Sequence, residues 1–165
     1  MIAGIDLAGV ESRPTGLCIL NTRAHFYTVF SDTEIFTILG QNKITLAAID
    51  APLSFRGEPF RDGDRELRAH FPILPLTFKG MQSLTRRGMT LKNRLTCPVI
   101  EVYPHAAKKI LGITRAEDLA SYRIDEVPSS PHELDAAVAA LTGKFYLQGQ
   151  YTAYGEQDMI IVPRF

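Results

Sequence analysis

Ile44-Thr-Leu-Ala-Ala-Ile-Asp50, running into Ala51-Pro52, decides the fold. So short and apolar a run reads as a strand covered on both faces, and Asp-Ala-Pro ends it. Ahead of it, Ser31-Asp-Thr-Glu34 has the form of a capping box, and Ile35, Ile38 and Leu39 recur at helical spacing. A buried strand reached through a helix predicts a parallel crossover from an earlier strand. That earlier strand is residues 2–7, an apolar run opening directly into Ala8-Gly9. Residues 16–20 and 25–30, joined by Asn21-Thr-Arg-Ala24, continue from it as antiparallel strands.

Downstream, residues 52–97 break the regular pattern. They are rich in Pro, Gly and Arg, with short helical pieces near 62–70 and 80–95. Residues 99–103 read as a further strand, and Pro104 opens a helix to 111. Ser130-Pro-His-Glu133 is a second capping box, with Pro at the first helical position. The helix it starts, 131 to about 147, contains Ala-Ala-Val-Ala-Ala-Leu and must be largely buried; residues 158–162 suggest a last strand. The expectation is one α/β domain over 1–165: a sheet of mixed direction, with an insertion at about 52–97 between the fourth and fifth strands.

With 165 residues, 45% apolar and 22% charged, the composition is that of a folded globular domain and excludes disorder and coiled coil. No apolar run approaches the ~20 residues that cross a bilayer. The N-terminus lacks a basic start and is broken by Asp6, so no signal peptide is expected. Cys18 and Cys97 make neither a disulfide framework nor a metal pair. A cytoplasmic protein with no membrane association is the expectation. Net charge is zero, but residues 52–97 hold nine Lys and Arg against four acids, and 71–97 hold no acid at all. Such a segment steers phosphate-bearing partners, although a solvated helix face would look the same.

The acids fall in telling places. Asp6 lies near the end of the first strand and Asp50 closes the strand parallel to it, at the sheet edge where α/β proteins bind ligands. Glu101 sits mid-strand in Val-Ile-Glu-Val-Tyr. On the last helix, Asp135 and His132 are three residues apart and share a face, whereas Glu133 lies about 200° round the axis from Asp135. Glu133 is taken by the capping box, which leaves Asp135 as the candidate ligand. Carboxylates without a Cys or three-His cluster suit a hard divalent ion such as Mg²⁺ or Mn²⁺. Two ions ~4 Å apart would activate water and stabilise a leaving oxygen in phosphodiester cleavage. Taken singly, Asp6 as a turn acid or Asp135 as a helix-dipole acid would be structural.

Gly4-Ile-Asp6-Leu-Ala-Gly9, Ala48-Ile-Asp50-Ala-Pro-Leu-Ser54, Asp64-Arg65, Glu101-Val-Tyr-Pro104 and His132-Glu-Leu-Asp135-Ala together resemble the domain of unknown function 429 family. That family is described as predicted nucleases of the ribonuclease H fold. The resemblance implies a ribonuclease H-like mixed central sheet with helices on both faces and acids on strand one, on strand four and on the final helix, the positions of Asp6, Asp50 and Asp135. His132-x-x-Asp135-Ala is also similar to the last-helix motif of Holliday-junction resolvases in the same superfamily, which usually carry Glu where this chain has Asp50.

The leading expectation is therefore a metal-dependent nuclease. Asp6, Asp50 and Asp135 hold two Mg²⁺ or Mn²⁺, and Glu101 is a fourth ligand or stands behind the others. Arg65, Arg68, Arg86, Arg87 and Arg94, with His132, contact the nucleic acid. Two other readings remain open: a phosphate- or nucleotide-binding domain of the actin and sugar-kinase type, and a non-catalytic module binding nucleic acid or protein. Nucleotide binding would favour the first of these. Metal binding with cleavage favours the nuclease.

Overall fold

The structure, a computed structural model, describes residues 1–164. In chain order its strands are β1 (Ile2–Asp6), β2 (Thr15–Leu20), β3 (Ala24–Val29), β4 (Leu46–Asp50), β5 (Val99–Val102), β6 (Tyr151–Tyr154) and β7 (Ile160–Pro163). Its α-helices are α1 (Asp32–Gly40), α2 (Asp62–Arg68), α3 (Lys79–Arg94), α4 (Pro104–Leu111) and α5 (Pro131–Leu147), with a 3₁₀ helix at Ala116–Tyr122. The strands form one sheet in the order β3-β2-β1-β4-β5-β7-β6. The β1–β2 and β2–β3 pairs are antiparallel, and β1–β4, β4–β5 and β5–β7 are parallel. The insertion between β4 and β5 holds α2 and α3.

Alternation along the strands sorts the core into two layers. Ile2, Cys18 and Leu20 pack with Ala107, Leu111, Ala137 and Leu141 of α4 and α5. Ala3, Ile5, Leu17, Ile19, Ala47 and Ile49 face the other way, onto Ile35 and Leu39 of α1 and Leu91 of α3. Helices thus cover both faces. The Ala-rich middle of α5 is buried because it lies across β1, β2 and β4, where small side chains let helix and sheet backbones approach closely.

Several expected boundaries move. The capping box of α1 is present, Ser31 and Glu34 exchanging both bonds. That of α5 is only half made: Ser130 Oγ accepts from the Glu133 N–H, but the Glu133 carboxylate accepts from the Ser129 N–H and hydroxyl and from Thr28. Glu133 therefore ties the start of α5 to β3. The last strand begins at Ile160, since the Asp158 carboxylate is held by Arg56 and Ser54. It is paired by β6, which the sequence pattern does not reveal, nor does it reveal the 3₁₀ helix.

Candidate active site

Asp6 ends β1, Asp50 ends β4, and the two are register partners in adjacent parallel strands. Alternation turns both toward α5, the side on which Gly4 and Ala48 lie. Close approach seats that helix. A Cβ on Gly4 would overlap the carbonyl of Ala136, and one on Gly16 the carbonyl of His132, so the start of α5 rests on bare strand backbone. The first turns of α5 then deliver His132 and Asp135 over the two strand ends. His132 Nδ1 is 2.7 Å from Asp6 Oδ2.

Electrostatics mark these acids as strained. Burial pushes the Asp6 carboxyl above its ordinary value; the hydrogen bond with His132 works against that, and the charge of Asp135 adds to it. Asp50 is raised well above the usual range, first by burial and then by the negative charges of Asp6, Asp135 and Glu101. Among the described residues the Asp50 carboxylate has no hydrogen bond or ion pair. A cleft of about 240 Å³ opens beside it, with apolar walls that include Ile73, Leu76 and Leu84.

Asp135 has a different neighbour. Lys108 Nζ, from α4, stands 2.6 Å from its Oδ1, with both side chains 28% exposed. That Oδ1 is sealed from solvent and finds no aligned hydrogen-bond donor, so the contact is an ion pair without a hydrogen bond. Hard carboxylate oxygens, an orphaned buried oxygen and a surplus of negative charge fit a hard divalent cation. Yet Asp135 is drawn to Lys108 and Asp6 to His132. Among the described residues no three of His, Cys, Asp and Glu stand ready to hold one ion together.

Glu101 does not join this cluster. It pairs in register with Ile49, one residue before Asp50, and so points to the opposite face of the sheet. There it meets Arg61, whose side chain is fully buried. Arg61 Nη2 lies 2.5 Å from Glu101 Oε1, its Nη1 2.8 Å from Oε2, and its Nε 2.9 Å from Asp64 Oδ2. The Leu53 N–H also donates to Glu101, at 2.8 Å. Clamping the guanidinium together with Asp64 commits both Glu101 oxygens to Arg61. Arg61 escaped the sequence analysis, where it looked like one more base of a basic segment.

The other arginines separate by position. Arg87 is buried and donates to the carbonyls of Ala8 and Phe30 and to Asp32, so it braces the loop after β1 and cannot reach a substrate. Arg94 stacks on Phe36 at 3.9 Å, beside Ile44, at the amino ends of the parallel strands and away from the acids. Arg68 stacks on Phe60 at 4.4 Å, and Arg65 donates to the Phe60 carbonyl. Arg86 is exposed, with no partner for its guanidinium among the described residues. Lys108 also escaped the sequence analysis. Its available signal was its place on the helix that starts where β5 reaches the carboxyl edge.

Solved structures supply the likeness that sequence comparison does not. The RuvC of Thermus thermophilus, solved in complex with a Holliday junction substrate, matches with a TM-score of 0.59 at 17% identity, over 90% of this chain and 94% of that one. A second Thermus thermophilus RuvC structure matches with a TM-score of 0.54, also at 17% identity, over 90% and 95%. No family model and no curated protein sequence matches the chain. At this identity the likeness establishes the fold, which is ribonuclease H-like. Among the described residues no helix is long and apolar enough to cross a membrane.

Proposed function

We propose that this chain is a metal-dependent nuclease that hydrolyses phosphodiester bonds in nucleic acid. The carrying observation is the pairing of Asp6 with Asp50 at the carboxyl edge of β1 and β4, with His132 and Asp135 brought over them by α5. The motif resemblance to the domain of unknown function 429 family points to the same class. The RuvC neighbour in complex with a Holliday junction makes branched DNA the first substrate to try.

Asp6 and Asp50 would hold the divalent cation, Mg²⁺ or Mn²⁺, from adjacent strands. When bound, that cation lowers the pKa of water and offsets charge on the phosphate oxygens. Without it, the paired carboxylates repel a phosphodiester. His132 has Nδ1 committed to Asp6, which leaves Nε2 to take a proton from the attacking water. Asp6 orients the ring and stabilises the imidazolium that results. Exposed Arg86 and the outer faces of Arg65 and Arg68 would position phosphates without reading sequence.

The test is cleavage of end-labelled four-way DNA junction, duplex DNA, single-stranded DNA and RNA–DNA hybrid with Mg²⁺ or Mn²⁺ and with EDTA. The expected result is metal-dependent cleavage of at least one substrate, lost by 10²-fold or more, on the order of 3 kcal/mol in the barrier, in both Asp6→Asn and Asp50→Asn. Cleavage that survives either substitution overturns the assignment.

A further inference from the structure

We propose that Lys108 holds the place of a second cation, so that the site takes one divalent ion, between Asp6 and Asp50, with the ammonium of Lys108 as the other positive charge. The inference rests on the nuclease reading above and specifies its metal requirement.

Three observations meet here. Lys108 Nζ is 2.6 Å from Asp135 Oδ1, closer than most ion pairs, and both side chains are largely withdrawn from solvent. Its charge reaches the other two acids as well, acting on Asp6 and Asp50 in opposition to their mutual repulsion. The three carboxylates lie near enough for their charges to act on one another, yet among the described residues no three ligands stand ready for one ion, and Asp135 is turned to the lysine. Positive charge is thus already supplied on the Asp135 side of the cluster. On the Asp6–Asp50 side the only basic side chain in hydrogen-bond or ion-pair contact among the described residues is His132, on Asp6, and the Asp50 carboxylate has none.

The chemistry is consistent with that division. In a two-ion site one cation activates water and the other offsets charge on the leaving oxygen. An ammonium is a compact point charge with three donors. Paired with Asp135 by charge and not by an aligned hydrogen bond, that of Lys108 keeps its donors for phosphate oxygens on the same side. Lys108 is held there by its helix: α4 starts at Pro104, directly after β5, and packs on α5 through Ala107 and Leu111.

The experiment counts bound Mn²⁺ on the intact chain, by equilibrium dialysis with electron paramagnetic resonance of free Mn²⁺, with no substrate present. Wild type is expected to bind one ion per chain, and Asp6→Asn with Asp50→Asn none. Lys108→Met and Lys108→Gln, checked for folding by circular dichroism, are expected to bind two, because Asp135 is released as a ligand. Two ions in wild type would overturn the proposal and leave the nuclease reading intact, as would an unchanged single ion in both folded lysine variants. No ion in any variant, together with metal-independent or absent cleavage, would overturn both.

Discussion

Asp6 and Asp50 are directly opposed in register on adjacent parallel strands, and so two half-buried carboxylates share one edge of the sheet. A fold selected only for stability would not place them there. Burial and like charge hold Asp50 well above the ordinary carboxylate range, so the folded chain binds its proton more tightly than the unfolded chain does.

The sign of the consequence follows by linkage. Because the folded value is the higher one, stability associated with Asp50 is present below the ordinary carboxylate pKa, near 4, and is lost as pH rises toward the folded value. Asp50→Asn removes that loss. In EDTA the variant should melt higher than wild type at pH 8, by on the order of 1 kcal/mol or about 2–4 °C, with a smaller gap at pH 4. Calorimetry at the two pH values checks this; a variant that melts below wild type at pH 8 contradicts it.

Arg61 makes the opposite kind of prediction. Its guanidinium is fully buried between Glu101 and Asp64, and it also donates to Ser54 Oγ at 3.0 Å. Arg61→Met leaves two buried carboxylates without their cation, a loss of about 3–5 kcal/mol where one partner of a buried pair is removed. Urea unfolding should show this as a large fall in midpoint. The triple replacement Arg61→Met, Asp64→Leu, Glu101→Leu should recover much of it, because no unpaired charge is then left behind.

These two clusters show which parts of the protein were legible in its sequence. Asp6, Asp50 and Asp135 could be read because each closes a strand or opens a helix, and those ends must gather at one edge of a parallel sheet. Glu101 could not be placed without the register. One step along a strand moves a side chain to the other face, and the pairing with Ile49 rather than Ala48 decides its partners. Arg61, Arg87 and Lys108 were illegible for another reason. A basic residue looks alike in sequence whether it is solvated or clamped, and only tertiary packing brings Glu101 to Arg61 or the Ala8 carbonyl to Arg87. β6 was hidden because its four half-buried residues gain their strand character from pairing with β7.

Asp62 contributes to the acid limb of stability. Its carboxylate accepts N–H bonds from Gly63, Glu156, Gln157 and Asp158 at 2.9, 2.8, 2.9 and 3.2 Å, tying the start of α2 to the turn between β6 and β7. These donors hold it far below the usual carboxylate range. With the folded value depressed, its contribution is complete above a pH of about 4 and disappears as pH falls toward the folded value. Asp62→Asn should therefore lower the melting temperature at pH 7 while leaving a shallower decline between about pH 4 and 2. Parallel acid titrations followed by circular dichroism test it; equal slopes would assign the acid limb to other groups.

Neighbours in sequence, Arg86 and Arg87, should behave as unrelated residues. Arg87 is buried and fully engaged with Asp32 and the Ala8 and Phe30 carbonyls at 2.8, 2.8 and 2.7 Å, bracing α3 against the loop after β1 and the start of α1. Arg87→Ala leaves two carbonyls and a carboxylate without their donor, so it should destabilise the chain by about 1–3 kcal/mol. Arg86 projects from the same helix into solvent, and Arg86→Ala should leave stability within about 0.5 kcal/mol of wild type. If the exposed face of α3 meets a phosphate backbone, Arg86→Ala weakens nucleic-acid binding. It should also reduce the dependence of log K on log salt by about 0.7–0.9 for each phosphate that Arg86 neutralises, because fewer counterions are released. Fluorescence anisotropy across a salt series reads both quantities in the folded variant, with Ca²⁺ in place of Mg²⁺ to suppress cleavage. An unchanged slope would remove α3 from the nucleic-acid surface and leave phosphate positioning to Arg65 and Arg68 on α2.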